Sequence, residues 1–287
     1  MATGATEHID TTTADVFIPE IWSTEALIAR EQALVFARLV DRKFENGLKY
    51  GDLIHVPSVG NLAARTKTLA GNAAITYETI TETNTDITIA TWEYAAIAVE
   101  DAIAVQSNRD QIKLYAGKMG YALALAVDDI LAGLVDDFSN ALGTLAAENV
   151  DEDFLRAIQY LDDANAPKTD RAFVMSPAAA IALLKMDKYT HNDYALLHGD
   201  PTTDYDRAYT TSFYRIPVYV STNVEGSNAV GHDNGLLQRE SLALVMQMKP
   251  TTKRMYDIDY LVDKVVMEQL YGSREMRDDH GVFIRGL

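Results

Sequence analysis

Cysteine is absent from the 287 residues, which excludes disulfides, thiol catalysis and cysteine-based zinc sites and fits a reducing compartment. Basic charge is scarce. Against 42 Asp and Glu stand 25 Lys and Arg, for a net charge of −17. Nucleic-acid affinity rests on cations that neutralise phosphates, and no basic run occurs anywhere, so the composition argues against direct phosphate binding. No window approaches the ~18 consecutive apolar residues of a membrane-spanning helix. Residues 1–15 carry no basic region followed by an apolar run, so no secretory signal is expected there and the chain reads as soluble and made in the cytoplasm. The dinucleotide GxGxxG, the P-loop, GxSxG and HExxH are also missing, and no repeat of solenoid period is present.

What the chain does have is length and apolar content for a sizeable core: 48% of its residues are hydrophobic, as in ordinary globular domains. The stretch that organises the rest runs from Gly51 to Glu100. After the turn Gly51-Asp52 come the β-branched run Leu53-Ile54-His55-Val56, then Ala74 to Ile80, then Ile87 to Trp92. The last two are rich in Ile and Thr and bounded by Gly71-Asn72 and Asn84, which predicts a long out-and-back hairpin. Each arm has roughly 20 residues, a reach of some 60 Å at about 3.3 Å per residue. One face is mostly Thr, Glu and Asp, so this hairpin cannot bury a core of its own, and an isolated two-stranded ribbon is marginal in water. Support from a neighbouring copy of the chain is therefore expected.

Before the hairpin, residues 1–15 read as a mobile arm. The segment Phe17 to Trp22 is an apolar anchor, and a helix capped by Ser23 carries Leu27, Leu34, Val35, Leu39 and Val40 at helical spacing up to Asn46-Gly47. After it, Ser107-Asn108-Arg109-Asp110 has capping-box form. Ile112, Tyr115, Met119, Leu123, Ala126, Ile130, Leu134 and Phe138 then recur every three or four residues up to Gly143. About 35 residues at 1.5 Å each predict a spine helix of roughly 50 Å. From Val150 the texture is compact α/β: a helix over 151–165, a buried strand over 171–175, and a helix opened by Ser176-Pro177. A long loop is expected over 187–213, a strand over 214–220 and a second loop over 222–234. The apolar run 236–248 fits helix or strand equally, and the tail alternates as strands do.

The chemistry-bearing side chains all have blander roles open to them. Histidines 191, 198, 232 and 280 neighbour acids, a combination that suits Zn or Mn, yet they follow no fixed ligand spacing and turn geometry alone gathers such residues in loops. The pairs Asp128-Asp129, Asp136-Asp137 and Asp162-Asp163 read as solvated flanks or partners for Arg, since adjacent residues on a helix do not face one another. Met175, Met186, Met246 and Met248 read as core filler. Arg65 and Lys67 are the only basic residues between Lys49 and Arg109. They read equally as guards against edge pairing or as ion-pair partners for an acidic neighbour. No catalytic, cofactor or metal residue is assigned, and no cofactor is expected. The candidate intersubunit contacts are Trp22, Arg65, Lys67, Tyr77 and Trp92.

Arm helix, long hairpin, spine helix, compact lobe and returning strands come in the order found in the HK97-fold major capsid proteins of tailed bacteriophages, and nearly the whole chain resembles that family. Local features resemble it too: Phe17-Ile18-Pro19-Glu20-Ile21-Trp22, Gly51-Asp52, Phe173-Val174-Met175-Ser176-Pro177 and Ile216-Pro217-Val218-Tyr219-Val220-Ser221. The resemblance implies an α+β, HK97-like capsid fold, with an N-terminal arm over 1–50 and an extended hairpin, the E-loop, over 51–100. A P-domain would comprise 101–148 and 249–287, and an A-domain 149–248. It implies a non-enzymatic coat protein that forms hexamers and pentamers of an icosahedral shell in the virion, enclosing double-stranded DNA without reading its sequence, with a portal as partner and no membrane. Because only about 16 residues precede Phe17–Trp22, the segment that opens the arm in this family, a separately encoded scaffolding protein is expected. Two alternatives stay open: an encapsulin-type compartment with a protein cargo, and a soluble metal-dependent hydrolase.

Overall fold

The computed structural model describes residues 34–45, 50–60, 62–67, 74–80, 82–102, 111–145, 147–185, 209–227 and 229–286. All of them fall within the unit Gln32–Leu287. The anchor with Trp22, the Ser23 cap, Asn46-Gly47, the Ser107–Asp110 box, Gly71-Asn72 and most of the loop over 187–213, with His191 and His198, lie outside the described residues.

In chain order, a one-turn helix α1 (Phe36–Leu39) and a 3-10 turn (Lys43–Glu45) precede strands β1 (Leu53–Val59), β2 (Glu82–Thr88) and β3 (Thr91–Glu100). Helix α2 (Gln111–Ala132), strand β4 (Ala141–Gly143), helix α3 (Asp151–Asp163), strand β5 (Arg171–Met175) and helix α4 (Pro177–Leu184) follow. The remainder is β: β6 (Tyr209–Phe213), β7 (Ile216–Val220), β8 (Gly226–Ser227), β9 (Gly231–Gln238), β10 (Leu242–Asp257), β11 (Val262–Glu275) and β12 (Gly281–Gly286).

A seven-stranded mixed sheet, ordered β4-β12-β9-β5-β7-β6 with β8 beside β9, forms the lobe. Its central strands are buried on both faces, which is why Arg171–Met175 reads as an unbroken run with no alternation. Phe173, Met175, Leu236, Val282 and Ile284 point to one side, against Phe154, Ala157 and Leu161 of α3 and Ala179 and Leu183 of α4. Val174, Leu237 and Phe283 point to the other, where Phe36, Val127, Leu131, Val135 and Phe138 meet them. The Ser176-Pro177 signal holds: the Ser176 hydroxyl accepts from the Ala179 N–H at 3.1 Å, with Pro177 in the first helical turn.

The spine is shorter than its periodicity suggests. Met119, Leu123, Val127 and Leu131 are buried four residues apart along α2, but the helix has 22 residues, about 33 Å, and stops before Gly133. There the bonds tighten, Leu134 N–H to Leu131 O and Val135 N–H to Ala132 O, so the chain turns and Val135 and Phe138 enter the lobe core instead of extending the helical face. Gly143 ends no helix; it lies in β4, paired in parallel with β12. Three further expectations are corrected. Residues 34–35, expected within the arm helix, lie outside any helix, and the one described turn stops at Leu39, because Asp41 exchanges backbone hydrogen bonds with Leu242 and Leu244 at 3.0 Å and draws the chain into pairing with β10. Residues 209–213 are a strand and not loop, since they pair with β7. Residues 231–234 belong to β9, drawn into the ladder by β12. The ambiguous run 236–248 is strand on both sides of a turn at 239–241.

A second, three-stranded sheet, β10-β11-β3, is antiparallel throughout. Its inner face meets α2, where the Gln269 amide donates to the Leu123 carbonyl at 2.9 Å. The third sheet is the two-stranded ribbon β1-β2. Among the described residues no helix is long and apolar enough to cross a membrane.

Where β11 ends, Glu275 lies beside Asp278, with Asp137 near. Burial first, then the Asp278 and Asp137 charges, push its carboxyl up to about 7 from the ordinary 4.5, against a smaller opposing pull from Arg274. A folded-state value above the unfolded one means that protonation favours the fold. The contribution is complete below about pH 4.5 and is lost as pH climbs through about 7. Glu275→Gln should therefore remove a pH slope. In thermal unfolding across that window the wild type should fall behind the variant as pH rises, and parallel curves would contradict the assignment.

Candidate assembly surface

The ribbon is built from Leu53↔Thr88 outward to Val59↔Glu82 in unbroken antiparallel register. Gly51, at a φ of +102° that side-chain-bearing residues rarely adopt, turns the chain into it. At the root, Ile87 and Ile89 are buried against Ala243 and Val245, with Ile54, Val56, Phe44 and Leu270 packed around them. Burying one such Ile is worth about 1.5–3 kcal/mol. Two hydrogen bonds lock the root, Ile89 N–H to Asp52 O and the Gln247 amide to Gly51 O, both 2.8 Å. Outward from there burial stops: of the strand residues beyond Val56 and before Asp86, only Thr85 is even half-buried.

The strand expected over 74–80 is not one. Residues 62–67 and 74–80 carry no ladder, because pairing ends at Val59↔Glu82; the Ala63 N–H donating to the Glu78 carboxylate at 3.1 Å is a side-chain tie in its place. These segments enclose an open cleft of about 550 Å³ lined by Leu62, Arg65, Lys67, Ile75, Tyr77 and Ile80 among others. The expected single strand 87–92 is likewise split. The chain breaks at Ile89-Ala90, where Ile89 turns into the root cluster, and resumes as β3 in the other sheet.

Of the five candidate contacts, Arg65, Lys67 and Tyr77 are thus brought to one cleft, with Tyr77 84% exposed. Trp92 lies apart, 68% exposed on the outer face of β3 beside Tyr94. Trp22 is outside the described residues. Among the described residues neither Arg65 nor Lys67 has an ion-pair partner within its own chain. His55 pairs across the ribbon with Asp86 at 2.6 Å, and the Asn84 amide lies 2.9 Å from the same ring nitrogen. This is a local cross-strand tie.

Three features carry no sequence motif. Gly272, in the middle of β11, passes so close to the ribbon root that an added Cβ would lie 2.3 Å from the Thr88 carbonyl oxygen. Asp128, expected as a solvated flank or a partner for Arg, is instead fully buried on α2, where its carboxylate accepts from the Val35 and Ala37 N–H groups and the Asn223 amide, each at 3.3 Å. Burial pushes its carboxyl up and these donors oppose the shift, so one carboxylate holds residues 35–37 and the loop at 223 to the helix. Finally, Asp136, Glu225 and Asp233 bring carboxylate oxygens within 4.8 Å of one another. Asp233 is paired with Arg285 at 2.9 Å, and burial, then Asp136 and Asp233, raise Glu225.

Gly272→Ala should press a methyl group into the backbone of the ribbon root, at on the order of 1–3 kcal/mol. Limited proteolysis should then cut at residues 51–52 and 89–90 faster than in the wild type, while cleavage elsewhere is unchanged. An unaltered digestion pattern would show that the close approach does not hold the root.

No protein-family model and no curated protein matches the sequence. Solved structures do match in three dimensions. A chain from Mycobacterium phage Che8 superposes with a TM-score of 0.78 at 23% identity, over 93% of this chain and 97% of that one. A chain of the capsid structure of cyanophage P-SCSP1u gives 0.77 at 15% identity, over 99% and 97%. The asymmetric unit of the mature capsid of bacteriophage PhiM1 gives 0.72 at 13% identity, over 93% and 91%. The likeness runs almost from end to end of each chain, and at these identities it establishes the architecture: a mixed α/β chain with the fold of bacteriophage capsid structures.

Proposed function

We propose that this chain is the major coat protein of a tailed-bacteriophage head. Many copies would assemble as hexamers and pentamers into an icosahedral shell that encloses double-stranded DNA, with no catalytic step. The observation that carries the reading is the ribbon: a hairpin fastened, among the described residues, only at its root, with apolar and basic residues beyond its ladder, on a chain whose fold is that of capsid structures. Leu62, Ile75, Tyr77 and Ile80 are all exposed there, and a neighbouring copy that covers them supplies the burial the ribbon lacks.

In this reading the named parts of the HK97 fold map as the sequence suggests. The arm is 1–50, the E-loop 51–100, the P-domain 101–148 with 249–287, and the A-domain 149–248. Two of these edges cut across sheets, since β3 pairs with β11 and β12 pairs with β9. The functional units are accordingly the ribbon, the α2 sheet and the seven-stranded lobe. The net charge of −17 suits a wall that must not adhere to packaged DNA. A portal and a scaffolding protein are the partners this role implies, and the virion is its location.

Negative-stain electron microscopy with size-exclusion chromatography of the purified chain tests the proposal. Capsomers or closed particles are expected, and Tyr77→Asp should reduce their yield on the order of tenfold, the equivalent of about 1.4 kcal/mol per contact. A wild-type chain that stays monomeric at high concentration contradicts the coat reading, and particles that hold a protein cargo in place of DNA when isolated from their source would indicate a compartment shell.

A further inference from the structure

Among the described residues, three chain crossings join the seven-stranded lobe to the sheet over α2: 133–140 from α2 into β4, 239–241 from β9 into β10, and 276–280 from β11 into β12. All three meet at one place. The Met276 and Arg277 N–H groups both donate to the Ser241 carbonyl, at 2.8 and 3.2 Å. The Asp278 carboxylate accepts from the Ser139 N–H at 2.7 Å, and the Phe283 N–H donates to the Asn140 carbonyl at 2.9 Å. Gly281 lies so near the Phe138 ring that an added Cβ would sit 2.3 Å from it. Elsewhere the lobe meets α2 mainly through an apolar core, with the Asp128–Asn223 hydrogen bond beside it, and apolar contacts have no direction. The contacts that fix an angle between lobe and sheet are therefore concentrated at the crossings.

Charge collects at the same place. Glu275, the last residue of β11, and Asp278, in the 3-10 turn Asp278–His280, face each other within hydrogen-bonding reach. Asp137 of the first crossing adds negative charge, and Arg274 opposes it weakly. Two carboxylates so placed do not both ionise readily, and the environment decides which keeps the proton. Burial pushes Asp278 up, but the Ser139 side chain and N–H and the Glu275 contact bring it below its ordinary value, while burial and then these charges lift Glu275 to about 7. Arg277 is engaged with Glu240 of the second crossing at 3.7 Å. His280 is buried, and burial above all keeps it below its ordinary 6.5, with Asp279 and Glu240 pulling it up and Arg277 and Arg171 down. It stays neutral as pH rises through 7 and adds no charge there.

We infer that the three crossings form a proton-locked hinge: a single proton between Glu275 and Asp278 holds the lobe at one angle to the sheet over α2, and its loss lets the lobe rotate. With the proton in place, the Glu275 carboxyl donates to Asp278, and Asp278 accepts in turn from Ser139. One chain of hydrogen bonds then ties the end of β11, the entry to β12 and the exit of α2. Without the proton, Glu275, Asp278 and Asp137 set like charges together in a half-buried site with Arg274 as the opposing charge. Moving Asp278 away from Glu275 relieves that repulsion, and the turn 276–280 carries β12 with it. Met276, the first residue of the turn, packs against the ribbon root cluster, so a change of angle is felt at the base of the ribbon as well.

The hinge belongs to the single chain, so its failure leaves the coat reading standing, and a chain that never assembles overturns that reading without touching the hinge. Because the chain has no cysteine, Gln159→Cys on α3 and Thr252→Cys on β10, both exposed positions, place one spin label on the lobe and one on the sheet. Pulsed electron resonance of the doubly labelled full chain, diluted into excess unlabelled chain, reads the distance between them. That distance should be constant below about pH 6 and shift as pH rises, with its midpoint near 7. Glu275→Gln, which keeps a permanent donor to Asp278, should hold the low-pH distance throughout. Asp278→Asn should also abolish the shift, since its amide accepts from Ser139 and donates to an ionised Glu275. Circular dichroism identifies which variants are folded, and either one suffices. A wild-type distance that does not change with pH, or a shift that persists at the same midpoint in a folded variant, overturns the lock.

Discussion

Everything outward of the lobe depends on how the ribbon is held at its base. Ile87 and Ile89 enter a small cluster formed with Ala243 and Val245, and Gly272 lets the β11 backbone come within van der Waals distance of Thr88. That cluster joins the ribbon, the β10-β11-β3 sheet and the segment around Phe44 at one place. β10 contributes to it, begins the long hairpin that ends at Ile258, and pairs at its start with Asp41 of the chain leading from the arm. A shift at the base is therefore a shift in the direction of the ribbon, the sheet over α2 and the arm exit together. Asp128 reinforces the arrangement from the other side by tying residues 35–37 to α2.

In the coat reading, the ribbon end, basic as well as apolar, suits a neighbour's acidic surface. Excess negative charge elsewhere keeps the remaining surface from adhering to other copies or to nucleic acid.

How much of this could be read from the residues varies with the physical cause. Strand β5 and the start of α4 were legible because local signals decide them: a short apolar run bounded by turns, and Ser-Pro at a helix start. The hairpin was legible in outline, since Ile and Thr alternation with turn residues is a local pattern. Its pairing was not. Ladder formation stops at Val59↔Glu82 for want of support from the same chain, and no window of sequence contains that information. The periodicity runs on past the end of the spine because Leu134 and Phe138 keep helical spacing after Gly133 while packing into the lobe through turns; periodicity reports burial, and here burial continues after the helix ends. The root cluster and Gly272 leave no mark in the sequence, and the pair Asp128-Asp129 reads as solvated although Asp128 is buried, for a common reason: each acts on residues more than 90 positions away in the chain, and a Gly or Asp inside a strand or helix gives no sign of what approaches it.

The central claim is that the ribbon is ordered by other copies of the chain and not by its own body. Hydrogen exchange of the amides in Leu53–Val59 and Glu82–Thr88, compared between the dilute unassembled chain and assembled particles, tests it most directly. The account predicts rapid exchange along the outer ribbon in the single chain, slow exchange only at the root near Ile87, and protection of the whole ribbon on assembly. Equal and strong protection of both strands in the dilute single chain would contradict it.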